Sequence, residues 1–269
     1  MNMHSLISAP LDPRVLLVGE PPTDFGPLGT DAFQERRHFK IETVHCPVKR
    51  SSANSLLSKR YGWRGYGAVN LPTLGTDSHV SLAATQDGET IGTMTVGFDG
   101  PGQMNSYRAF APEIQRLRQT SRRLCEFTKL AIDPLTGSKR VLAGLFHVAY
   151  IVAYRLRGVD TLVMEVNPRH VRYYQRMLGA VVIGGERPNA KVGAPAVLLS
   201  LELSYVRDQI ERLSGRPELA STERSLYPLA FTPEDEEGIV SRLKDLAALS
   251  SPEHPFTFRL PLGQGVHAS

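Results

Sequence analysis

Only two cysteines occur in the 269 residues, Cys46 and Cys125, and they lack metal-ligand spacing. That argues against a disulfide framework and against a cysteine-based zinc site, so both are expected as reduced thiols and no metal is called for. Excess charge of one sign is also scarce: 31 Lys plus Arg against 27 Asp plus Glu leave a formal +4, too little by itself to indicate nucleic acid. The first ten residues have neither the basic n-region nor the sustained apolar h-region of a secretory signal, and a cytoplasmic protein is expected. Long apolar runs are missing too. Residues 141–156, with His147 and Arg155 the only strongly polar side chains, fall short of the about 20 residues a membrane helix needs. They read instead as a central helix packed on a sheet.

A composition of 41% hydrophobic and 22% charged residues suits a globular chain with a substantial core. Residues 1–38 are rich in Pro and Gly without a sustained period and read as an irregular extension. A strand is expected over 39–46 and a helix over 52–61. Two β-prone runs, 79–85 and 90–98, flank Asp87-Gly88, a strong hairpin signal. A short helical or irregular link, 107–120, leads to the strand Leu124–Ile132, which stops at Asp133-Pro134. A helix over 139–157 and an apolar strand over 161–166 complete a βαβ unit with parallel strands. Asn167 and Pro168 then supply an N-cap and a first helical residue, and Gly179 ends that helix. Strands over 180–187 and 196–203 close a mixed sheet. Beyond 204 the signals weaken, although Thr232-Pro233-Glu234-Asp235 marks the start of an amphipathic helix. The expected architecture is an α/β domain over 39–203, between the N-terminal extension and a C-terminal extension of one or two helices over 204–269.

Chemistry concentrates in Cys125-Glu126-Phe127-Thr128-Lys129-Leu130-Ala131-Ile132, where three polar side chains interrupt a core-like strand. Regular alternation puts Glu126 and Thr128 on one face and Lys129 on the other; a bulge would re-aim Lys129. A carboxylate near an incoming ammonium can take its proton, directly or through water, and free the amine to attack a thioester. Equally, Glu126 can be an edge carboxylate paired with an arginine. Basic residues cluster at Arg116, Arg118, Arg122 and Arg123, at Lys139 and Arg140, and at Arg169, Arg172 and Arg176. The last three are spaced to line one helix face, either solvated or a dock for an acidic partner.

The stretch Asn167-Pro168-Arg169-His170-Val171-Arg172-Tyr173-Tyr174-Gln175-Arg176-Met177-Leu178-Gly179 resembles a helix of the GCN5-related N-acetyltransferase (GNAT) superfamily, in which a central Tyr often protonates the departing thiolate. Tyr174 is the better match and Tyr173 the second; packing against the sheet is the ordinary role for either. Coenzyme A users of that superfamily carry an Arg/Gln-x-x-Gly-x-Gly/Ala loop for the pyrophosphate. The corresponding residues 135–144 lack it, which turns the expectation toward a donor without the nucleotide. Glu126-x-Thr128-Lys129 is similar to the Glu-x-Ser/Thr-Arg strand of acyl-homoserine lactone synthases, with Lys129 losing the guanidinium fork. Together with Val166-Asn167-Pro168-Arg169-His170 and Ala194-Pro195-Ala196-Val197, the strand most closely resembles bacterial long-chain N-acyl amino acid synthases, over about residues 40–203.

The resemblance implies a GNAT-type mixed sheet with flanking helices and an N-acyltransferase. Its donor would be a long-chain acyl group on the phosphopantetheine of acyl carrier protein, its acceptor an amino acid, and no cofactor would be tightly bound. Glu126 would take the amine's proton, Thr128 orient acceptor or water, and Tyr174 serve the leaving thiol. Lys129, Asn167, Arg169 and Asn189 would bind substrate; Lys139, Arg140, Arg172 and Arg176 would meet the phosphopantetheine phosphate and the acidic carrier protein. Peripheral membrane contact through the lipid product is compatible with this reading. The competing expectations are an acyl-coenzyme A-dependent N-acetyltransferase and a non-catalytic protein of the same fold that senses acyl chains or docks a partner.

Overall fold

The computed structural model describes residues 5–10, 38–63, 65, 69–73, 78–100, 104–120, 122–189 and 193–249. Its centre is an eight-stranded sheet in the order β1-β2-β3-β4-β5-β6-β8-β7. The strands are β1 (Ser5–Pro10), β2 (His38–Thr43), β3 (His79–Gln86), β4 (Glu89–Phe98), β5 (Leu124–Ile132), β6 (Thr161–Val166), β7 (Val181–Asn189) and β8 (Ala194–Glu202). All neighbours are antiparallel except β5 and β6, as the βαβ reading required. The β3–β4 hairpin turns at Asp87 and Gly88, both with positive φ (51° and 85°), the backbone form that Asp-Gly favours.

Helix α1 (Pro47–Gly62) covers one face near β4 and β5, and α2 (Tyr107–Gln119) packs beside β7. Two members of the first basic cluster are paired here. Arg118 holds Asp99 with two hydrogen bonds of 2.8 and 2.6 Å, and Arg122 pairs with Glu202. On the opposite face lies α3 (Lys139–Tyr150), whose last turn widens to π geometry over Ile151–Leu156. Ser138 caps it by accepting the Val141 N–H at 3.2 Å. Every residue of α3 from Val141 onward is buried, so this apolar run is the core helix that its length implied. No described helix is long and apolar enough to cross a membrane.

Two expectations about the ends of the chain need correction. Residues 5–10, read as part of an irregular extension, form an edge strand on β2; the rest of that extension lies outside the described residues. The segment after β8 belongs to the core: α5 (Leu203–Leu213), two 3-10 turns and α6 (Pro233–Leu249) bury Ile210, Leu226, Tyr227, Phe231, Ile239 and Leu243. Gly144 on α3 makes room for this layer, since a Cβ there would lie 3.0 Å from Ile41 and 3.1 Å from Phe231.

His147 is the polar pin of the arrangement. Its Nδ1 accepts the Phe231 N–H at 3.1 Å, which puts the ring proton on Nε2, facing Glu236 at 2.9 Å. Arg155 bonds the same carboxylate and reaches Glu237 at 2.6 Å. Burial pushes the Glu236 carboxyl up, but the hydrogen bonds from His147 and Arg155, with the charge of the Arg155 guanidinium, outweigh it and hold the group below its ordinary 4.5. A carboxyl depressed in the folded state stabilises above its unfolded pKa, and that contribution is lost as pH falls through the folded value. In acid titrations of Tm, the decline below about pH 4.5 is therefore expected to be steeper for the unaltered protein than for Glu236→Gln. Parallel curves would remove this linkage.

Candidate active site

The site begins where the sheet splits. β5 and β6 pair only over Leu124–Glu126 and Thr161–Val163, and beyond that they diverge. A cavity of about 210 Å³ fills the gap. Its lining draws on the α3 side (Phe127, Phe146, Tyr174) and on the α1 side (Tyr61, Val69), so it passes through the sheet.

A bulge in β5 sets the floor of the cavity. Thr93 pairs with Ala131 and Thr95 with Thr128, leaving two β5 residues, Lys129 and Leu130, against one on β4. Lys129 takes a φ of 53°, a left-handed backbone rarely adopted by a residue with a Cβ. The Thr93 hydroxyl donates to its carbonyl at 2.8 Å. Alternation alone would have sent the lysine away from Thr128; with the bulge, Thr128 and Lys129 both line the cavity.

Of the other residues expected at the site, Asn167, Tyr174 and Asn189 also line the cavity. Asn167 caps the 3-10 turn Pro168–His170, accepting the Arg169 N–H at 3.2 Å, and α4 (Val171–Leu178) follows. Tyr174 faces inward with its ring edge-on to Phe146, centroids 6.4 Å apart. Tyr173 is absent from the lining and packs against the core, where burial drives its hydroxyl pKa up. Arg169 is exposed in the 3-10 turn and does not line the cavity, so it is not on the α-helical face shared by Arg172 and Arg176. Those two are exposed on α4.

Glu126 has neighbours other than those expected. It is 2% exposed and does not line the cavity. Its Oε1 accepts the Asn105 N–H at 2.8 Å and the Asn105 side-chain amide at 2.6 Å. Its Oε2 accepts the Ser106 N–H and hydroxyl, both at 3.1 Å. Four donors fill the acceptor sites of a carboxylate just before the start of α2, where negative charge is favoured. Gly97, directly opposite, is needed for this: a Cβ would stand 3.2 Å from Glu126 Cγ. The result is to hold Asn105 at the cavity wall.

Glu165 is the carboxylate on the wall among the described residues, and Asn189 donates to its Oε1 at 2.7 Å. Neither Asn105 nor Glu165 was singled out by sequence reasoning. Asn105 sits in a segment without motif, whereas Glu165 carried a usable signal, a carboxylate inside the apolar strand Thr161–Val166.

At the N-terminus of α3, the turn that joins it to β5 spends its amides internally. Asp133 Oδ1 accepts the N–H groups of Leu135 at 2.9 Å and Thr136 at 3.1 Å, so a carboxylate takes donors that an incoming anion would need. Lys139 Nζ lies 3.4 Å from the Arg224 carbonyl, and burial lowers its pKa against the opposing pull of Glu223. Arg140 is half-buried next to it. Leu226 bonds the Met177 carbonyl at 3.0 Å, so α3, α4 and the 224–226 segment bring Lys139, Arg224 and the end of α4 together. Among the described residues no group of three or more side chains suited to a metal is found.

A family model described as N-acyl amino acid synthase FeeM matches residues 52–202, more than half of the chain. Among solved structures, FeeM, an N-acyl amino acid synthase from uncultured soil microbes, aligns with a TM-score of 0.57 at 21% identity, over 63% of this chain and 93% of that one. An acyl-CoA N-acyltransferase from Pseudomonas aeruginosa aligns at 0.44 and 12% identity, over 61% and 97%. None of the curated proteins matches. The split mixed sheet with helices on both faces is thus a GNAT-type acyltransferase fold.

Proposed function

Because the chain belongs to the family of the N-acyl amino acid synthase FeeM and is an N-acyltransferase, we propose that it moves a long-chain acyl group from acyl carrier protein to the amine of an amino acid. The observation that carries this reading is the pair of opposite charges lining one cavity, Lys129 turned in by the bulge and Glu165 held by Asn189. An α-amino acid has the matching pair. Lys129 would attract its carboxylate and Glu165 its ammonium, with Asn105 and Thr128 as further polar contacts.

Chemistry then follows from position. Glu165 takes one proton from the ammonium, and the amine nitrogen attacks the thioester carbonyl. A C–N bond forms while the carbonyl becomes an oxyanion. Main-chain N–H groups of β5 beyond Glu126, which do not pair with β6, would donate to it. As the oxyanion collapses to the amide carbonyl and the C–S bond breaks, Tyr174 gives its proton to the thiolate; the second amine proton is lost to solvent, Glu165 releases the first, and Tyr174 is reprotonated from solvent. Glu126 is a positioning residue in this scheme, acting through Asn105.

For the donor, two features favour a phosphopantetheine arm without the nucleotide: the pyrophosphate-loop pattern is missing and Asp133 takes the turn amides. Lys139 and Arg140 at the α3 N-terminus would meet the single phosphate. Arg172, Arg176 and Arg224 extend this basic surface toward an acidic carrier protein. The protein would be incubated with long-chain acyl carrier protein and a mixture of amino acids, and products read by mass spectrometry. Absence of an N-acyl amino acid above a Glu165→Gln control refutes the proposal. Saturation by acyl-coenzyme A with carrier protein inactive would reverse the donor.

Lys129→Ala is expected to raise KM for the amino acid about 10- to 100-fold with a smaller change in kcat, since a charged hydrogen bond contributes about 1.5–3 kcal/mol. An unchanged KM for the acceptor would take Lys129 out of carboxylate binding.

A further inference from the structure

A second, smaller cavity of about 30 Å³ lies deeper on the α3 side of the sheet. Phe127 and Phe146 border both cavities, with ring centroids 6.1 Å apart. The far wall comes from Leu203, Val206 and Ile210 on α5 and from Leu226, Tyr227 and Ala230 in the turns that follow. All six lie beyond residue 202, where the family match ends.

The wall is mostly hydrocarbon and ring surface. Of its three polar side chains, His147 is bonded at both nitrogens, Tyr227 donates its hydroxyl to the Leu178 carbonyl at 2.6 Å, and Tyr150 stacks on Tyr154 with centroids 5.4 Å apart. A cavity lined this way stays empty of water and takes apolar ligands. Its position gives a direction as well. Tyr174, placed above at the leaving thiol, touches Phe146, and Phe146 touches Phe127. A chain whose thioester lies at Tyr174 therefore runs past the two rings before reaching the second cavity.

Resting on the proposed acyl transfer, we infer that the second cavity receives the distal end of the donor's alkyl chain, that Phe127 and Phe146 form the gate to it, and that the C-terminal layer sets its depth. Acyl-length preference then depends on the gate and, for its depth, on residues beyond the matched region 52–202. The Phe127–Phe146 pair must part for a long chain, so short chains stop before the rings.

Two variants narrow the cavity from opposite walls, Ala143→Leu on α3 and Ala230→Leu in the C-terminal layer; Phe127→Leu opens the gate. Octanoyl and hexadecanoyl carrier protein would be compared by kcat/KM, and free octanoate and hexadecanoate by the shift each produces in Tm. Narrowing is expected to lower the hexadecanoyl-to-octanoyl ratio about tenfold or more, the discrimination that one or two methylenes give in an apolar pocket. It should also abolish the extra stabilisation by hexadecanoate, while Phe127→Leu raises the ratio. Folded variants with unmoved ratios and unmoved melting shifts overturn the inference. An unaltered protein that acylates no amino acid overturns the proposed reaction instead, and the fatty-acid melting shifts still decide the cavity. If either narrowing variant does not fold, Phe127→Leu reads the same passage by enlarging it.

Discussion

Replacing Glu165 by Gln is expected to lower kcat by about 10²- to 10⁴-fold, the range for removing a positioned general base, and to leave Tm nearly unchanged. The side chain is only half-buried and keeps an oxygen for the Asn189 amide, so Gln fits the same space. What it cannot do is hold a proton. The acid limb of the kcat/KM profile, where the base becomes protonated, should vanish with it. Glu126→Gln is the contrasting case. An NH2 group put among the N–H groups of Asn105 and Ser106 leaves a donor facing donors in a buried site, at a cost of about 1–3 kcal/mol. Tm should fall, and turnover should fall with it because Asn105 loses its anchor, but the acid limb should remain. Should Glu126→Gln instead remove the acid limb at unchanged Tm while Glu165→Gln turns over normally, the two roles are exchanged.

Ending the chain after Leu203 is expected to leave no folded domain. The layer removed includes Val206, Ile210, Leu226, Phe231, Ile239 and Leu243, each 6% exposed or less. Burial of such side chains contributes roughly 1.5–3 kcal/mol apiece, and the net stability of a domain is only about 5–15 kcal/mol. The loss also strips His147 of both partners, leaving a polar ring against an apolar helix. Heteronuclear NMR or circular dichroism of the truncated protein should show lost tertiary structure; a cooperative melt close to that of the full chain would contradict the integral role of this layer. Phe231→Ala, a milder version, is expected to destabilise by about 3–5 kcal/mol without unfolding at low temperature.

Much of the frame was legible in the residues. Asp87-Gly88 announced the hairpin, and Asn167-Pro168 with Gly179 delimited the turn and helix carrying Tyr174. Strand, apolar helix and strand announced the parallel pair β5–β6. These are local signals, each set by the conformational preferences of a few neighbouring residues. The edge strand at 5–10 had no such signal, because its register depends on pairing with β2 some 30 positions away. The C-terminal layer was weak for a related reason: its buried residues are spread over two helices, one 3-10 turn and the loop residues beside it, with no single period.

The strand Leu124–Ile132 shows where the division falls. Its composition by itself marked β5 as the candidate strand and determined which polar residue types were available: Glu126, Thr128 and Lys129. Which of them reaches the cavity was decided only by the tertiary structure. The register between β4 and β5 forces a bulge, and the bulge turns Lys129 inward against the strand's alternation. Asn105 and Ser106, about 20 positions earlier, claim Glu126, and the parting of β6 from β5 exposes Glu165 to the same space. Those outcomes come from contacts between segments distant in sequence, and no period or propensity within β5 encodes them.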